Sequence, residues 1–215
     1  MCGRFTLNTT NEELMRRFAV QTDQNYPNRW NIAPSQTSLT ITRNNDAEIR
    51  LNTRDIFGVW QSGLGKRVIN ARSETIAEKS MFKEVFKHRR CLILASGWFE
   101  WDARKTPYFI SLRDKRVMAF AGLRFKEGRD NSFVIVTSAA KGELLQLHHR
   151  TPLLLQQKFW PIWLGTSYQI PDECMASPES HFFNWHRVSS KVGNVVNDNA
   201  DLVLPVFDEQ SKLLI

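Results

Sequence analysis

Apolar residues along the chain alternate between a period near 3.6 and a period of 2, and the changes of period divide the sequence into short elements. Leu14, Phe18 and Val20 follow Thr10-Asn11-Glu12-Glu13, which has capping-box spacing, so a short amphipathic helix is predicted to start near residue 11. Residues 38–42 and 48–52 read as two strands of a hairpin turning near Asn44-Asn45-Asp46. Ser62-Gly63-Leu64-Gly65-Lys66 reads as a flexible loop, after which Met81, Phe82, Val85 and Phe86 recur on one helical face. That helix runs into Lys87-His88-Arg89-Arg90, which puts positive charge at the favourable end of the macrodipole. Four short runs rich in β-formers come next, at 91–95, 108–112, 117–121 and 133–137, and read as a β-meander. Short helices are predicted at 142–147 and 156–160, the latter stopped by Pro161, with a closing strand at 202–206. The expected fold is α+β: a single domain over 1–215, mostly antiparallel sheet curled toward a barrel, with peripheral helices.

Composition agrees with a packed globular chain. Of 215 residues 42% are hydrophobic, including seven Trp and fourteen Phe, which is more apolar material than a disordered chain carries. Lys and Arg number 29 against 22 Asp and Glu, a net charge of +7 that suits a polyanionic partner without identifying one. Cys2, Cys91 and Cys174 are odd in number and lack metal-ligand spacing, so no metal or other cofactor is expected. With no signal-peptide pattern and no apolar run of about 18 residues, the expectation is a reduced, cytoplasmic, monomeric protein without a membrane span, nucleoid-associated if the source is bacterial.

Cys2 alters that general picture. It directly follows the initiator Met and is small enough to permit its excision, which would leave a free 1,2-aminothiol at the terminus. An α-amine with a reference pKa near 7.7 is about 17% unprotonated at pH 7, against roughly 0.04% for a lysine amine. Condensed with an aldehyde, that amine gives an imine, and the tethered thiol can close a five-membered thiazolidine on it.

Six segments then occur in order: Met1-Cys2-Gly3-Arg4-Phe5, Arg29-Trp30-Asn31-Ile32-Ala33-Pro34, Ile69-Asn70-Ala71-Arg72-Ser73-Glu74-Thr75, Gly97-Trp98-Phe99-Glu100-Trp101, Leu147-His148-His149-Arg150-Thr151-Pro152 and Val192-Gly193-Asn194. Together they resemble the motifs of the SRAP family (SOS-response-associated peptidase, the abasic-site processing proteins). The resemblance implies the SRAP fold and a sensor of abasic sites in single-stranded DNA that crosslinks to them through Cys2, with lyase and self-processing peptidase activity as further possibilities of the family. It implies Asn70 as the asparagine holding the sugar or the terminal amine, Glu100 as the proton shuttle of imine formation, and His148 as the histidine that moves protons at the sugar oxygen and at the adduct. Arg4, Arg72 and Arg150 are implied phosphate contacts; Asn31 and Pro34 belong to the implied DNA-binding set, Pro34 as a residue wedging bases apart. His149, adjacent to His148 on a segment read as extended, is expected to face the other way, onto the surface.

Two departures from the family pattern stand out. The usual Trp-Gly-Leu-x-Pro-x-Trp segment is here Phe57-Gly58-Val59-Trp60-Gln61-Ser62-Gly63-Leu64, so the aromatic platform falls to Trp60 or a smaller apolar wedge to Leu64. Ser80 stands where some members carry Arg, removing one implied phosphate contact. The competing readings are an N-terminal-nucleophile peptidase or amidohydrolase, with Cys2 attacking an amide, and a noncovalent nucleic-acid-binding module, for which basic charge and aromatic residues suffice.

Overall fold

The computed structural model describes residues 2–22, 26–44, 48–167 and 169–206. In chain order the elements are β1 (Arg4–Leu7), α1 (Asn11–Phe18), β2 (Arg29–Ile32), β3 (Thr37–Arg43), β4 (Ile49–Phe57), β5 (Val59–Gln61), β6 (Lys66–Val68), β7 (Asn70–Arg72), α2 (Ser80–His88), β8 (Arg90–Ala95), β9 (Gly97–Trp101), β10 (Pro107–Leu112), β11 (Met118–Glu127), β12 (Asp130–Ala139), β13 (Arg150–Pro152), α3 (Trp160–Leu164) and β14 (Phe183–Arg187). β11, β8, β3, β4 and β12 bond in that order, and β12 returns to β11, so the sheet closes on itself into a five-stranded barrel. A second sheet, ordered β14-β10-β9-β1-β2, packs against it. The α+β fold with a curled sheet is the one the sequence predicts.

β12 is the spine of the barrel. Seven consecutive residues, 132–138, are buried, the pattern of a strand covered on both faces. One edge pairs with β11 and then β13, while the other runs parallel to β4 and then β7. Thr137 therefore sits between Arg72 on one side and Pro152 on the other. This pairing brings two distant motif segments to the same level of one strand.

Several local expectations hold. Thr10 caps α1 by accepting the Glu13 amide N–H, and Leu14 and Phe18 face the core. β3 and β4 form the predicted hairpin, part of whose turn lies outside the described residues. Arg90 opens β8 instead of ending α2, but its guanidinium still donates to the Phe86 and Lys87 carbonyls of the last helical turn.

Others are corrected. The central strands are not a meander: β8 pairs with β11, while β9 and β10 join the second sheet. Segment 62–66 is the tip of the β5–β6 hairpin, with Gly65 in the left-handed region. Pro161 does not stop a helix but stands in the first turn of α3, where its missing N–H costs nothing. Residues 142–146 and 157–159 form 3₁₀ turns, and 200–203 forms another in place of the expected closing strand. The strand that completes the second sheet is β14.

The two sheets are joined by aromatic packing. Phe5 of β1 meets Phe57, Phe120 and Phe133 edge-on at centroid distances of 5.5, 6.4 and 6.5 Å, and Phe57 stacks on Phe133 at 5.3 Å. From β9, Trp98 reaches Phe120 at 5.9 Å. Gly97 of β9, opposite Thr6, lets β10 approach: a Cβ there would stand 2.2 Å from the Phe109 ring and 2.7 Å from the Ile110 carbonyl oxygen. Gly97→Ala is expected to cost about 1–3 kcal/mol as overpacking strain, read as a lower urea midpoint at unchanged m-value; an unshifted midpoint would mean that the sheet gives way without cost.

Candidate active site

Cys2 lies two residues ahead of β1, whose anchoring through Phe5 carries it into the core, where it is fully buried and free of any disulfide. Burial pushes its thiol well above the ordinary range, and the Glu100 carboxylate adds to the effect. The thiol is therefore held protonated. Asn70, at the start of β7, donates from Nδ2 to the Cys2 carbonyl at 3.1 Å and sits level with Ile135 of β12. Its Oδ1 is buried and accepts no hydrogen bond among the described residues, an acceptor left open at the site.

Glu100 is in β9 opposite Tyr108, and 3% exposed. β9 runs antiparallel to β1 with Arg4 opposite Phe99, so one further step along the register brings Glu100 beside the segment that carries Cys2. Burial raises its carboxyl from 4.5 to about 7, against the opposing pull of the chain's positive amino terminus. A carboxyl titrating there exchanges protons readily at neutral pH.

His148 is half-buried and follows the 3₁₀ turn at 142–146. Its Nδ1 receives the Arg150 amide N–H at 2.9 Å, and desolvation, then the positive amino terminus, lower its pKa below the ordinary imidazole value. His149 is exposed as expected but does not face away. The chain bends here, and the two rings stack with centroids 4.3 Å apart.

The cationic residues divide into two kinds. Arg150 is buried and forks onto Glu74 at 2.6 and 2.8 Å, with a further bond to the Thr137 hydroxyl at 3.3 Å. Arg4 donates to Asn31 Oδ1 at 2.9 Å and to the carbonyls of Val192 and Gly193 at 2.7 and 3.0 Å. Buried Asn31 donates to the carbonyls of Val192, Asn194 and Asn197, and Asp198 receives the Trp30 and Asn31 amides. These residues hold the segment 192–198 along the β2 edge. Arg72 differs: it is exposed, and its side chain has no hydrogen bond or ion pair among the described residues. Pro34 is half-buried in the β2–β3 turn, while Trp60 and Leu64 are 54% and 59% exposed on the β5–β6 hairpin.

Glu74, Thr137 and Asp198 are partners that the reading of the sequence misses. Glu74 lies within the Asn70 motif, and an acidic residue inside a segment otherwise rich in donors is the available signal. Thr137 and Asp198 have no local signature, because their partners are brought to them by strand pairing.

The Glu100 environment has a stability consequence. A carboxyl whose folded value lies above its unfolded one binds its proton more tightly when folded, so its burial costs little below pH 4.5 and the full amount above about pH 7. Stability should fall as pH rises through that window, by on the order of 3 kcal/mol, and Glu100→Gln should remove the fall. Urea unfolding at pH 5 and pH 8 tests this: the variant's advantage should grow with pH, and a constant difference would place Glu100 in a solvated setting.

The sequence model of the SRAP family, described as SOS response associated peptidase, matches residues 1–195. Abasic site processing protein YedK of Escherichia coli (strain K12) is 33% identical over 225 residues, covering 96% of this chain and all of the relative. Abasic site processing protein YoqW of Bacillus subtilis (strain 168) is 30% identical over 222 residues, covering 94% and 99%. Among solved structures, a protein from Bacteroides thetaiotaomicron shares the fold with a TM-score of 0.78 at 20% identity, covering 96% of this chain and 100% of that one. A phage-related protein from Bordetella bronchiseptica has a TM-score of 0.72 at 27% identity, covering 87% and 94%. With a family model spanning nearly the whole chain and relatives of matching length, the chain belongs to the SRAP family.

Proposed function

We propose that this protein recognises abasic sites in single-stranded DNA and attaches to them covalently through the N-terminal cysteine that excision of Met1 exposes. The observation that carries this reading is the convergence on Cys2 of an asparagine amide, 3.1 Å from its carbonyl oxygen, and a buried carboxyl titrating near neutrality. The open-chain deoxyribose of an abasic site carries the aldehyde such a site requires.

The chemistry proceeds from amine to thiol. The free α-amine adds to the aldehyde carbon, one of its protons passing through Glu100 to the carbonyl oxygen, and the second N–H proton follows by the same route as the resulting hydroxyl leaves as water. The thiol then adds to the imine carbon, its proton passing to the nitrogen, and the ring closes as a thiazolidine. Asn70 holds the reacting residue by its carbonyl, and its open Oδ1 accepts from a sugar hydroxyl. His148 moves protons at the sugar oxygen during ring opening and at the adduct during reversal. A thiol kept protonated by burial is a poor nucleophile toward an amide, which favours the aldehyde reading over general peptidase activity.

For DNA binding, Arg72 offers the free guanidinium, and Trp60 or Leu64 the apolar surface that meets bases, with Pro34 close in sequence to the β2 edge. Arg4, Asn31 and Arg150 act by fixing the walls along which the strand runs, so their donors serve the groove before they serve a phosphate.

Cys2→Ala keeps the α-amine if Met1 is still excised, so it should give a band with abasic oligonucleotide that borohydride traps and heating in denaturant otherwise destroys. A heat-stable band without borohydride from this variant would overturn the aminothiol mechanism. Glu100→Gln should slow crosslinking by roughly 10²–10⁴-fold with little change in noncovalent affinity, and an unchanged rate would remove Glu100 from the chemistry. Arg72→Ala should flatten the salt dependence of single-strand binding by about 0.7 in log–log slope, and a wild-type slope would mean that the strand runs elsewhere.

A further inference from the structure

The imidazole rings of His148 and His149 form a stacked pair. The ring centroids are 4.3 Å apart with 27° between the planes. Both backbones are held: the His148 amide donates to the Leu144 carbonyl at 3.1 Å, and the His149 carbonyl accepts from Ala140 at 3.0 Å. The stack is therefore part of the built structure of this bend.

The backbone around His148 accommodates either charge state. With Nδ1 bare, the Arg150 amide N–H donates to it at 2.9 Å; with Nδ1 protonated, the Arg150 carbonyl, 3.2 Å from the same nitrogen, can accept. What faces the ring decides between the two. Among the described residues the ionisable groups that do so are His149 and Arg150, and Arg150 is already paired with Glu74. Two imidazolium rings at stacking distance repel, so the pair favours a single proton. The exposed ring is the one that water can solvate as a cation.

We infer that His149 is a positioning residue that takes the proton of the stacked pair and so keeps His148 neutral, with its proton on Nε2, at the pH where the adduct forms and reverses. This rests on the proposed role of His148 as proton carrier at the sugar. It makes the acid side of the reaction's pH dependence a property of two histidines, of which only one meets the substrate.

The test is an NMR titration of the His148 ring signals in uncrosslinked protein, in wild type and in His149→Phe, which keeps a stacked ring without its charge. His148 should bind its proton roughly fivefold more tightly in the variant, the size of a unit-charge repulsion across about 4 Å of water. The acid limb of adduct reversal should move to higher pH in the same sense. His149→Gln, which removes ring and charge together, carries the same expectation should phenylalanine disturb the bend. Superimposable His148 titrations in the wild type and both variants would overturn the inference. Because the titration needs no crosslink, a protein that failed to react with abasic DNA would sink the reading of Cys2 and leave this comparison intact.

Discussion

The site depends on β1 being an interior strand. Its four residues are held between β2 and β9, and Phe5 is locked edge-on among Phe57, Phe120 and Phe133 of the barrel. Chain ends ordinarily fray unless something ties them down. Here the tie lies three residues from Cys2, so the terminus stands where Asn70 and Glu100 can meet it. Loss of the Phe5 cluster would destroy the placement of Cys2, the proposed nucleophile.

Burial then sets the electrostatics. The same desolvation that raises the Glu100 carboxyl to about 7 also keeps the Cys2 thiol protonated, so one environment prepares a proton carrier and disables a thiolate. Such a site is unsuited to thiolate attack on a stable amide. It suits a sequence in which an amine attacks first and a neutral thiol follows intramolecularly, where tethering supplies the advantage that charge does not. The arginines are bound into the fold as well: Arg4 is committed to carbonyls and Arg150 to Glu74.

Legibility in the sequence follows the range of the interactions. α1, the β3–β4 hairpin, α2 and the strands β8, β10, β11 and β12 have periodic or apolar patterns of their own and are legible from them. The division of strands between two sheets is not, because β9 and β10 resemble neighbours of β8 locally and only the packing of Trp98 and Phe99 on opposite faces sends them elsewhere. Pro161 reads as a stop because a proline breaks a helix interior, whereas the first turn tolerates it. The proposed site residues Cys2, Asn70, Glu100 and His148 are each marked in the sequence by family motifs. The partners of Arg4, Asn31 and Arg150 are not, since each lies across a strand pairing or a loop that no local spacing encodes. The stacking of His149 is hidden in the sequence because the segment reads as extended, and it bends.

The central claim is that amine and thiol of one residue are both consumed by the lesion, and the mass and thiol content of the denatured adduct test it most directly. Wild-type protein joined to an abasic oligonucleotide should have the summed mass of Met1-free protein and DNA less one water. Its linkage should map to Cys2, and that cysteine should resist iodoacetamide while Cys91 and Cys174 are alkylated. An adduct in which Cys2 is alkylated, or one that maps to a lysine, would contradict the account.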